Sequence, residues 1–380
     1  MVPTPNSALE CEEARRLFFV GLTRAQVDLR VSWAEADENG KGLPPSQFVQ
    51  ELASGGISVE SVEVEASIVA AAALTQLTPP PPAAPLPAIA LLEELMANFT
   101  LSATVLNAYL RCPISCYYEH LLGAPQERNE HLLFGVAVHA ALEQYFRRAQ
   151  REPERGFGTS EELEAEFARR FQRHRDDLPA AVFTRLLQNG QDQLRAWWAR
   201  WHSQWQLSSV VEYKVVRAVL PEGIALTGKV DRLDLHPNGR TVDVLDYKTG
   251  ASDKHTAKLK AAPAKAAEAT LQEWHADEQL RGTDYWRQAV FYHLLLAHDQ
   301  TARYQPAAVK VNFLRPVSKP STPPQFIQEE VKVTPEAIAT VRAQIAAVDT
   351  AIRAYDFSHG CGKCRWCDLR QQAASSELPR

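Results

Sequence analysis

The sequence lacks any apolar run that approaches the ~18 consecutive residues needed to cross a bilayer. Its opening residues, MVPTPNSALECEEARR, contain no charged head followed by an apolar stretch, so they do not resemble a secretory signal. We therefore expect a cytoplasmic location, in which thiols stay reduced. The six cysteines then need a role other than disulfide bonding.

The chain also lacks an excess of basic charge. Its formal net charge is −5, with 45% hydrophobic and 23% charged residues in a length of 380. This composition is ordinary for globular proteins, and the length is enough for two domains. A protein that binds nucleic acid needs positive charge only where phosphates lie, so the charge balance neither supports nor excludes that partner.

Composition and hydrophobic pattern divide the chain into three regions, and no internal repeat is found. Residues 1–55 predict a helix around EEARRLFFVGLTRAQ and a strand at VDLRVSW. Residues 56–95 contain TPPPPAAPLPA and predict a linker, because proline cannot donate a backbone hydrogen bond and favours extended chain. Residues 96–380 predict one large domain.

The large domain begins with helical patterns and then alternates between strands and helices. The helices expected first are LSATVLNAYLRC, HLLFGVAVHAALEQYFRRA, EELEAEFARRF and QLRAWWARWHSQW. Next come strands VVEYKVVRAVL, IALTGKVDRLDLH and TVDVLDYKTG, then helix YWRQAVFYHLLLAH. Strands AAVKVNFLRP and QFIQEEVKV, helix PEAIATVRAQIAAVDTAIRAY and a short cysteine-rich tail, GCGKCRWCDLR, complete the domain.

The second and third strands of this domain predict a hairpin, because Asn238-Gly239 between them favours a two-residue turn. With that turn at the centre, alternation places eight side chains on one face in the opposed pairs Asp231–Asp246, Lys229–Lys248, Leu233–Val244 and Leu235–Val242. Opposed carboxylates repel unless a cation lies between them, and their hard oxygens suit Mg²⁺ or Mn²⁺. Lys248 could then orient water or neutralise charge on a phosphate. The alternative is an exposed hairpin with a solvated charge cluster.

The motifs around this hairpin resemble the RecB/AddB branch of the PD-(D/E)XK nucleases. The resemblance rests on GKVDR followed by DYK, on Gly135-Val-Ala-Val-His139-Ala-Ala-Leu-Glu143, on Gln288-Ala-Val-Phe-Tyr292, and on Glu212 in the first strand. It covers residues 102–370 and implies an α/β, restriction-endonuclease-like core. That core has a central mixed sheet flanked by helices and a helical N-terminal insertion.

The resemblance also implies roles for single residues. His139 would be a further metal ligand, although a hydrogen-bonded core histidine is the alternative. Gln288 and Tyr292 would bind phosphate or position Lys248, and simple packing of both side chains beside the sheet is the alternative. Glu212 would bind metal or pair with Lys214 or Lys229. The implied reaction is hydrolysis of DNA phosphodiesters, expected on single-stranded ends, with a catalytically silent DNA- or subunit-binding domain as the alternative.

Three of the cysteines, Cys361, Cys364 and Cys367, have the C-x-x-C-x-x-C spacing that binds zinc or an iron–sulfur cluster. Cys112 is the best candidate for the fourth ligand. The resemblance favours a [4Fe-4S] cluster joining the two ends of the domain. The sequence departs from the family at Ala373, where a last cysteine is usual, so Cys361 replaces it or Cys116 contributes. Simple structural cysteines are the alternative.

The first region resembles motif VI of UvrD-like superfamily 1 helicases, in the segment EEARRLFFVGLTRA that ends with Thr23-Arg24-Ala25. The resemblance implies that Arg24 touches the γ-phosphate of ATP, and an amphipathic helix with surface arginines is the alternative. The chain contains no G-x-x-x-x-G-K-[ST] phosphate loop, so ATPase activity is not expected from it alone. We expect a fragment or subunit of a longer helicase–nuclease in recombinational repair, with DNA and a motor chain as partners.

Overall fold

The computed structural model describes residues 8–24, 41–56, 96–124, 129–251, 256–317 and 324–376, together with the single residues 29, 31, 33, 36, 93 and 94. Contacts divide the chain into two units, Met1–Pro79 and Pro80–Arg380. The predicted linker over 56–95 and the predicted strand VDLRVSW fall largely outside the described residues. Within the described residues, no helix combines the length and apolarity that crossing a membrane requires.

The first unit contains two helices, α1 (Ala8–Leu22) and α2 (Gln47–Ser54). They are held together by the stacked rings of Phe18 and Phe48, whose centroids are 5.6 Å apart. Arg15 on α1 also donates to Glu51 on α2 at 2.8 Å. The helix predicted around EEARRLFFVGLTRAQ is therefore present.

The second unit surrounds one sheet with helices. In chain order the helices are α3 (Ala103–Arg111), α4 (Pro113–Cys116), α5 (Glu130–Arg151), α6 (Ser160–Phe171), α7 (Ala180–Trp201), α8 (Leu271–Ala276), α9 (Glu278–Arg281), α10 (Asp284–Ala297), α11 (Pro335–Arg353) and α12 (Arg365–Ser376). The strands are β1 (Val210–Val219), β2 (Ala225–Leu235), β3 (Thr241–Ala251), β4 (Gln305–Arg315) and β5 (Gln328–Val331). Helix α12 was not predicted, since the tail offers only a short polar pattern.

The sheet has the order β1-β2-β3-β4-β5. Strands β3 and β4 are parallel, and the other neighbours are antiparallel. The parallel pair requires a crossover, and helix α10 lies within it, as is usual for such connections. The predicted central mixed sheet flanked by helices is confirmed.

Hydrophobic clusters cover both faces of the sheet. One face packs Leu233 and Val244 against Leu295 of α10, together with α3 and α11. The other face packs Tyr247 of β3 against Trp197 of α7, together with α5 and α6. Gly228 of β2 allows α10 to approach closely, because a Cβ there would lie 2.7 Å from Leu295 Cδ2. This close packing fixes α10 against the strands that carry the candidate site.

Candidate active site

The β2–β3 hairpin has the predicted register near its turn, where the pairs are Leu233–Val244 and Leu235–Val242. The turn is longer than the predicted two residues, because the His236 N–H donates to the Thr241 carbonyl at 2.9 Å and leaves four residues in the loop. Asn238 stabilises this loop, since its Oδ1 accepts from the backbone N–H of Thr241 at 2.8 Å. The wider loop keeps Asn238 and Gly239 at its centre, so the register is preserved.

Strand pairing between β2 and β3 ends at Arg232 and Leu245 in the described register. The predicted opposed pairs Asp231–Asp246 and Lys229–Lys248 lie beyond this paired stretch and stay predictions. Lys229 lies opposite Lys214 of β1, and Lys248 lies opposite Phe313 of β4.

The side chain of Asp231 explains why the two strands separate. Its Oδ2 accepts a hydrogen bond from the backbone N–H of Tyr247 at 2.7 Å, in place of a carbonyl from the neighbouring strand. Its Oδ1 lies 3.3 Å from Nδ1 of His139 on α5. Helix α5 is held in place at its start by Asn129, whose side chain accepts from the Leu132 N–H at 2.9 Å. Asp231 thus joins the sheet to the helical layer that carries His139.

Glu212 lies opposite Asp231 on β1, between the pairs Val211–Arg232 and Tyr213–Val230. Its φ of 53° is left-handed, a conformation that costs a non-glycine residue about 1–2 kcal/mol. The carboxylate forms an ion pair with Lys229, which is more than half exposed. A strained backbone at this position is consistent with a site that requires one side-chain direction.

The donor atoms of His139, Glu212 and Asp231 all lie within 4.8 Å of one another. One imidazole nitrogen and two carboxylate oxygens form a hard donor set that fits Mg²⁺ or Mn²⁺. Asp246 was predicted as a ligand beside Asp231 and His139, but it lies outside this group. It is 4% exposed, and its Oδ2 lies 2.6 Å from Lys248 Nζ.

The acidic side chains of the site differ in their pKa directions. Burial is the largest influence on Asp231 and acts to raise its pKa, but His139 and the Tyr247 N–H outweigh it and the pKa is lowered. Burial raises the pKa of Asp246, and the charge of Asp231 adds to this, against the opposing effect of Lys248. Burial likewise raises the pKa of Glu212. Crowded acids with divergent pKa values favour a bound cation.

Lys248 is held by partners on β3 and α10. Its ammonium donates to Gln288 Oε1 at 2.8 Å, and Gln288 Nε2 donates to the Tyr292 hydroxyl at 2.7 Å. Burial acts to lower the pKa of Lys248, but Asp246 outweighs burial, so the pKa is raised and the amine stays charged. The structure therefore connects Gln288 and Tyr292 to Lys248, as the positioning role requires.

Tyr285 is a site neighbour that the sequence interpretation missed. Lys248 Nζ lies 4.7 Å from the centre of its ring. Tyr285 precedes Gln288 by three residues on α10, so helical spacing places both on one face. That spacing is the signal that could have identified it.

The four predicted cysteines come from near the beginning and the end of the second unit and meet at one place. The sulfurs of Cys112, Cys361, Cys364 and Cys367 lie within 4.8 Å of one another. Cys112 ends α3, and its Sγ is 3.6 Å from that of Cys367 and 3.8 Å from that of Cys364. Four thiolates around one zinc ion at 2.3 Å would be about 3.8 Å apart. The donor set fits a thiolate-bound metal, and this spacing is compact enough for a single ion.

Cys116 does not belong to this four-cysteine site. Its Sγ donates to the Val105 carbonyl at 3.8 Å, and burial raises the pKa of the thiol to about 12. Of the two candidates for the fourth ligand, the structure brings Cys112 to the other three cysteines.

Arg24 lies in the turn after α1, where its N–H donates to the Gly21 carbonyl at 3.3 Å. It belongs to the first unit of the chain. Its predicted contact with a nucleotide is untested and stays a prediction.

A mixed sheet whose central strand carries Asp-x-Lys, beside further acidic side chains, is the arrangement that the resemblance implies for nucleases of the PD-(D/E)XK type. A model of the PD-(D/E)XK nuclease superfamily matches residues 100–372. The chain belongs to this superfamily. No curated protein matches the sequence.

Among solved structures, the chain is similar to a protein named "Putative exonuclease" from Eubacterium rectale, with 12% identity and a TM-score of 0.41. That match covers 71% of this chain and 87% of the other. It is also similar to the protein SSO0001, with 13% identity, a TM-score of 0.27, and coverage of 71% and 85%.

Proposed function

We propose that this chain is a metal-dependent DNA nuclease that hydrolyses phosphodiester bonds. The observation that carries the proposal is the convergence of His139, Glu212 and Asp231 within 4.8 Å, next to the Asp246–Lys248 pair. These residues come from β1, β2, β3 and α5, so only the folded unit assembles them. Membership of the nuclease superfamily supports the same reaction.

Each residue has a defined task in this proposal. His139, Glu212 and Asp231 would hold Mg²⁺ or Mn²⁺, which supplies a Lewis acid that activates water and offsets negative charge. Lys248 keeps its proton and neutralises charge that develops on the phosphate oxygens. Asp246 and Gln288 hold the ammonium from two directions, and Tyr292 holds Gln288. Gln288 and Tyr292 are positioning residues.

The deciding experiment is an assay of end-labelled single-stranded DNA with Mn²⁺, comparing the wild type with Asp246→Asn. The variant keeps the size of the side chain but removes its charge, so we expect cleavage to fall by about a thousandfold or more. Asp349→Asn is the matched control, because Asp349 is also buried but pairs with Arg353 on α11. A wild type that binds DNA without cutting it would favour the catalytically silent alternative.

We further propose a RecB/AddB-like exonuclease that acts on single-stranded ends within a helicase–nuclease of recombinational repair. The motif VI resemblance of the first unit supports a UvrD-like motor as partner. Co-purification with such a motor chain from the same genome tests this. In the complex, Arg24→Ala should reduce ATP hydrolysis and leave cleavage unchanged, whereas failure to co-purify would reject the partner. Circular and linear strands compared in one assay would test the need for an end.

For the four-cysteine site we propose a structural metal centre. The resemblance supports a [4Fe-4S] cluster, while sulfur separations of 3.5 to 4.0 Å support one zinc ion. A cluster has an iron between each thiolate and its centre, so it needs wider spacing than a single ion does. Anaerobic purification followed by iron, sulfide and zinc assays distinguishes the two.

A further inference from the structure

A cavity lies between the sheet and α7, beside the β2–β3 turn. Its volume is ~330 Å³, within the lower range of small-molecule sites. It lies along β3 from Leu245 to Asp243 and on toward the turn, and Leu245 directly precedes Asp246 in the chain. None of the residues given a task in cleavage lines it.

The walls of this cavity combine aromatic rings with amide groups. Trp201 and Trp205 present a little ring surface, at 7% and 9% exposure, whereas the Trp197 ring is fully buried. Asn312 and Gln328 contribute amides. Asn312 is fixed in place, since its Oδ1 accepts from the Trp197 indole N–H at 2.8 Å and its Nδ2 donates to Gln328 at 2.8 Å. The Trp201 indole N–H has no hydrogen-bond partner among the described residues, so a planar heterocycle that packs on these rings could accept an edge hydrogen bond from it.

The charged groups in the lining are already paired with each other. Arg232 donates to Asp234 at 2.8 Å, and Lys310 donates to Asp243 at 2.6 Å. Two cations thus meet two carboxylates, with His236 also 2.9 Å from Asp243. A phosphate or a metal ion would have to break one of these pairs, whereas a neutral ring would not. The balance favours an uncharged ligand.

We propose that this cavity binds a nucleobase. The inference rests on the proposed nuclease function, which brings nucleobases to the protein, from the substrate strand or from free nucleotides. Occupancy would also touch Arg232, which donates to the Tyr247 hydroxyl at 2.8 Å. Tyr247 in turn donates its backbone N–H to Asp231, so the cavity adjoins the candidate active site through one residue.

Calorimetric titration with the four deoxynucleosides and their 5′-monophosphates tests the proposal, without added divalent metal. We expect saturable binding of at least one deoxynucleoside, with affinity within about threefold of its monophosphate, and no binding of inorganic phosphate. Trp201→Leu removes a ring from the wall and should weaken binding about tenfold. Gln204 lines the cavity at an exposed position, so Gln204→Trp should block entry of the nucleoside and weaken binding to a similar extent. A substitution at this exposed position should also disturb folding less than the loss of the buried Trp201 ring.

Trp198→Leu is the matched control, because Trp198 lies on the same helix, stacks on His202 at 3.8 Å and does not line the cavity. The proposal is overturned by phosphate binding without nucleoside binding, by no nucleoside binding, or by equal losses in Trp198→Leu and Trp201→Leu. If single-stranded DNA displaces the bound nucleoside, the cavity takes a base of the substrate strand. If it does not, the cavity takes a free nucleotide. Binding measured in Asp246→Asn separates this inference from cleavage.

Discussion

The backbone N–H of Tyr247 donates to the carboxylate of Asp231 at 2.7 Å, across the point where β2 and β3 stop pairing. An acidic side chain here takes the place of a strand carbonyl. The second oxygen of the same carboxylate faces His139 at 3.3 Å. The separation of the strands therefore frees Asp231 to meet residues from another layer of the fold.

Asp231→Asn should weaken binding of Mn²⁺ by tenfold or more and leave the fold intact. The amide oxygen can still accept from Tyr247, but the negative charge beside His139 and Glu212 is lost. Calorimetry with Mn²⁺ measures the affinity, and circular dichroism checks the fold. Asp192→Asn on the exposed face of α7 is the control and should bind Mn²⁺ like the wild type. Equal affinity in Asp231→Asn would remove this residue from the metal site.

Lys248→Ala should reduce kcat by a hundredfold to ten-thousandfold, with DNA affinity changed only a few fold. In its proposed role the ammonium acts on charge that develops during the reaction, so its loss should affect turnover more than binding. Lys248→Arg should also fail, because a planar guanidinium does not match the contacts of a compact ammonium. Single-turnover kinetics provide the measurement. Lys214→Ala, an exposed lysine on β1, should behave as the wild type, and unchanged turnover in Lys248→Ala would refute the role.

Tyr292→Phe should lower kcat about tenfold with little change in KM, because Gln288 loses the hydroxyl that holds it against Lys248. The free energy of unfolding should fall by about 1 kcal/mol, as for one hydrogen bond. Tyr109→Phe is the matched control, since its buried hydroxyl donates to the Asp356 carbonyl at 2.5 Å. It should lose similar stability and no activity. A comparable loss of kcat in both variants would indicate a general packing effect.

Cys364→Ser should release the metal proposed for the four-cysteine site and lower the melting temperature, because the four cysteines join α3 to the tail near α12. Cys116→Ser makes the same chemical change outside the site and should retain metal in the wild-type ratio. Metal analysis and thermal unfolding of both variants measure these effects. Retention of stoichiometric metal by Cys364→Ser would exclude that thiol as a ligand.

Stability should fall as the pH drops below about 6.5, owing to buried histidines. Burial lowers the pKa of His275 and His293 from the ordinary value of 6.5. A lowered pKa means that the unfolded chain binds protons first, so the stabilisation is complete above 6.5 and is lost as pH falls toward the folded pKa. Urea unfolding at about pH 7 and pH 5 measures how steeply the free energy of unfolding changes with pH. His275→Gln should reduce the slope, and His131→Gln, which changes an exposed histidine, should not.

The sequence was sufficient for features that depend on neighbouring residues. Asn238-Gly239 and the apolar alternation beside it predicted the register of Leu233 and Leu235 correctly, because turn and strand pattern agreed. Spacing of four on a helix likewise placed Gln288 and Tyr292 together. The separation of β2 from β3 at Asp231 was not predictable in this way. It depends on His139 and on the left-handed backbone of Glu212, which come from distant segments.

The cavity beside α7 likewise combines features that depend on neighbouring residues with features that depend on the tertiary arrangement. Trp197 and Trp201 are four residues apart, so a shared helix face could have been recognised. Their partners Asn312 and Gln328 lie on β4 and β5, more than a hundred residues later. Only the tertiary arrangement shows that rings and amides meet, and that the nearby charges cancel.

Glu212, Asp231 and Asp246 are accompanied by the ammonium groups of Lys229 and Lys248 and by the imidazole of His139. Because these cations offset the acids locally, removing divalent ions by mild dialysis should leave no strong repulsion to unfold the cluster. Under the proposed function, such preparations would be inactive and would regain activity when a chosen ion is added. That property would let titrations of different metals begin from one common stock.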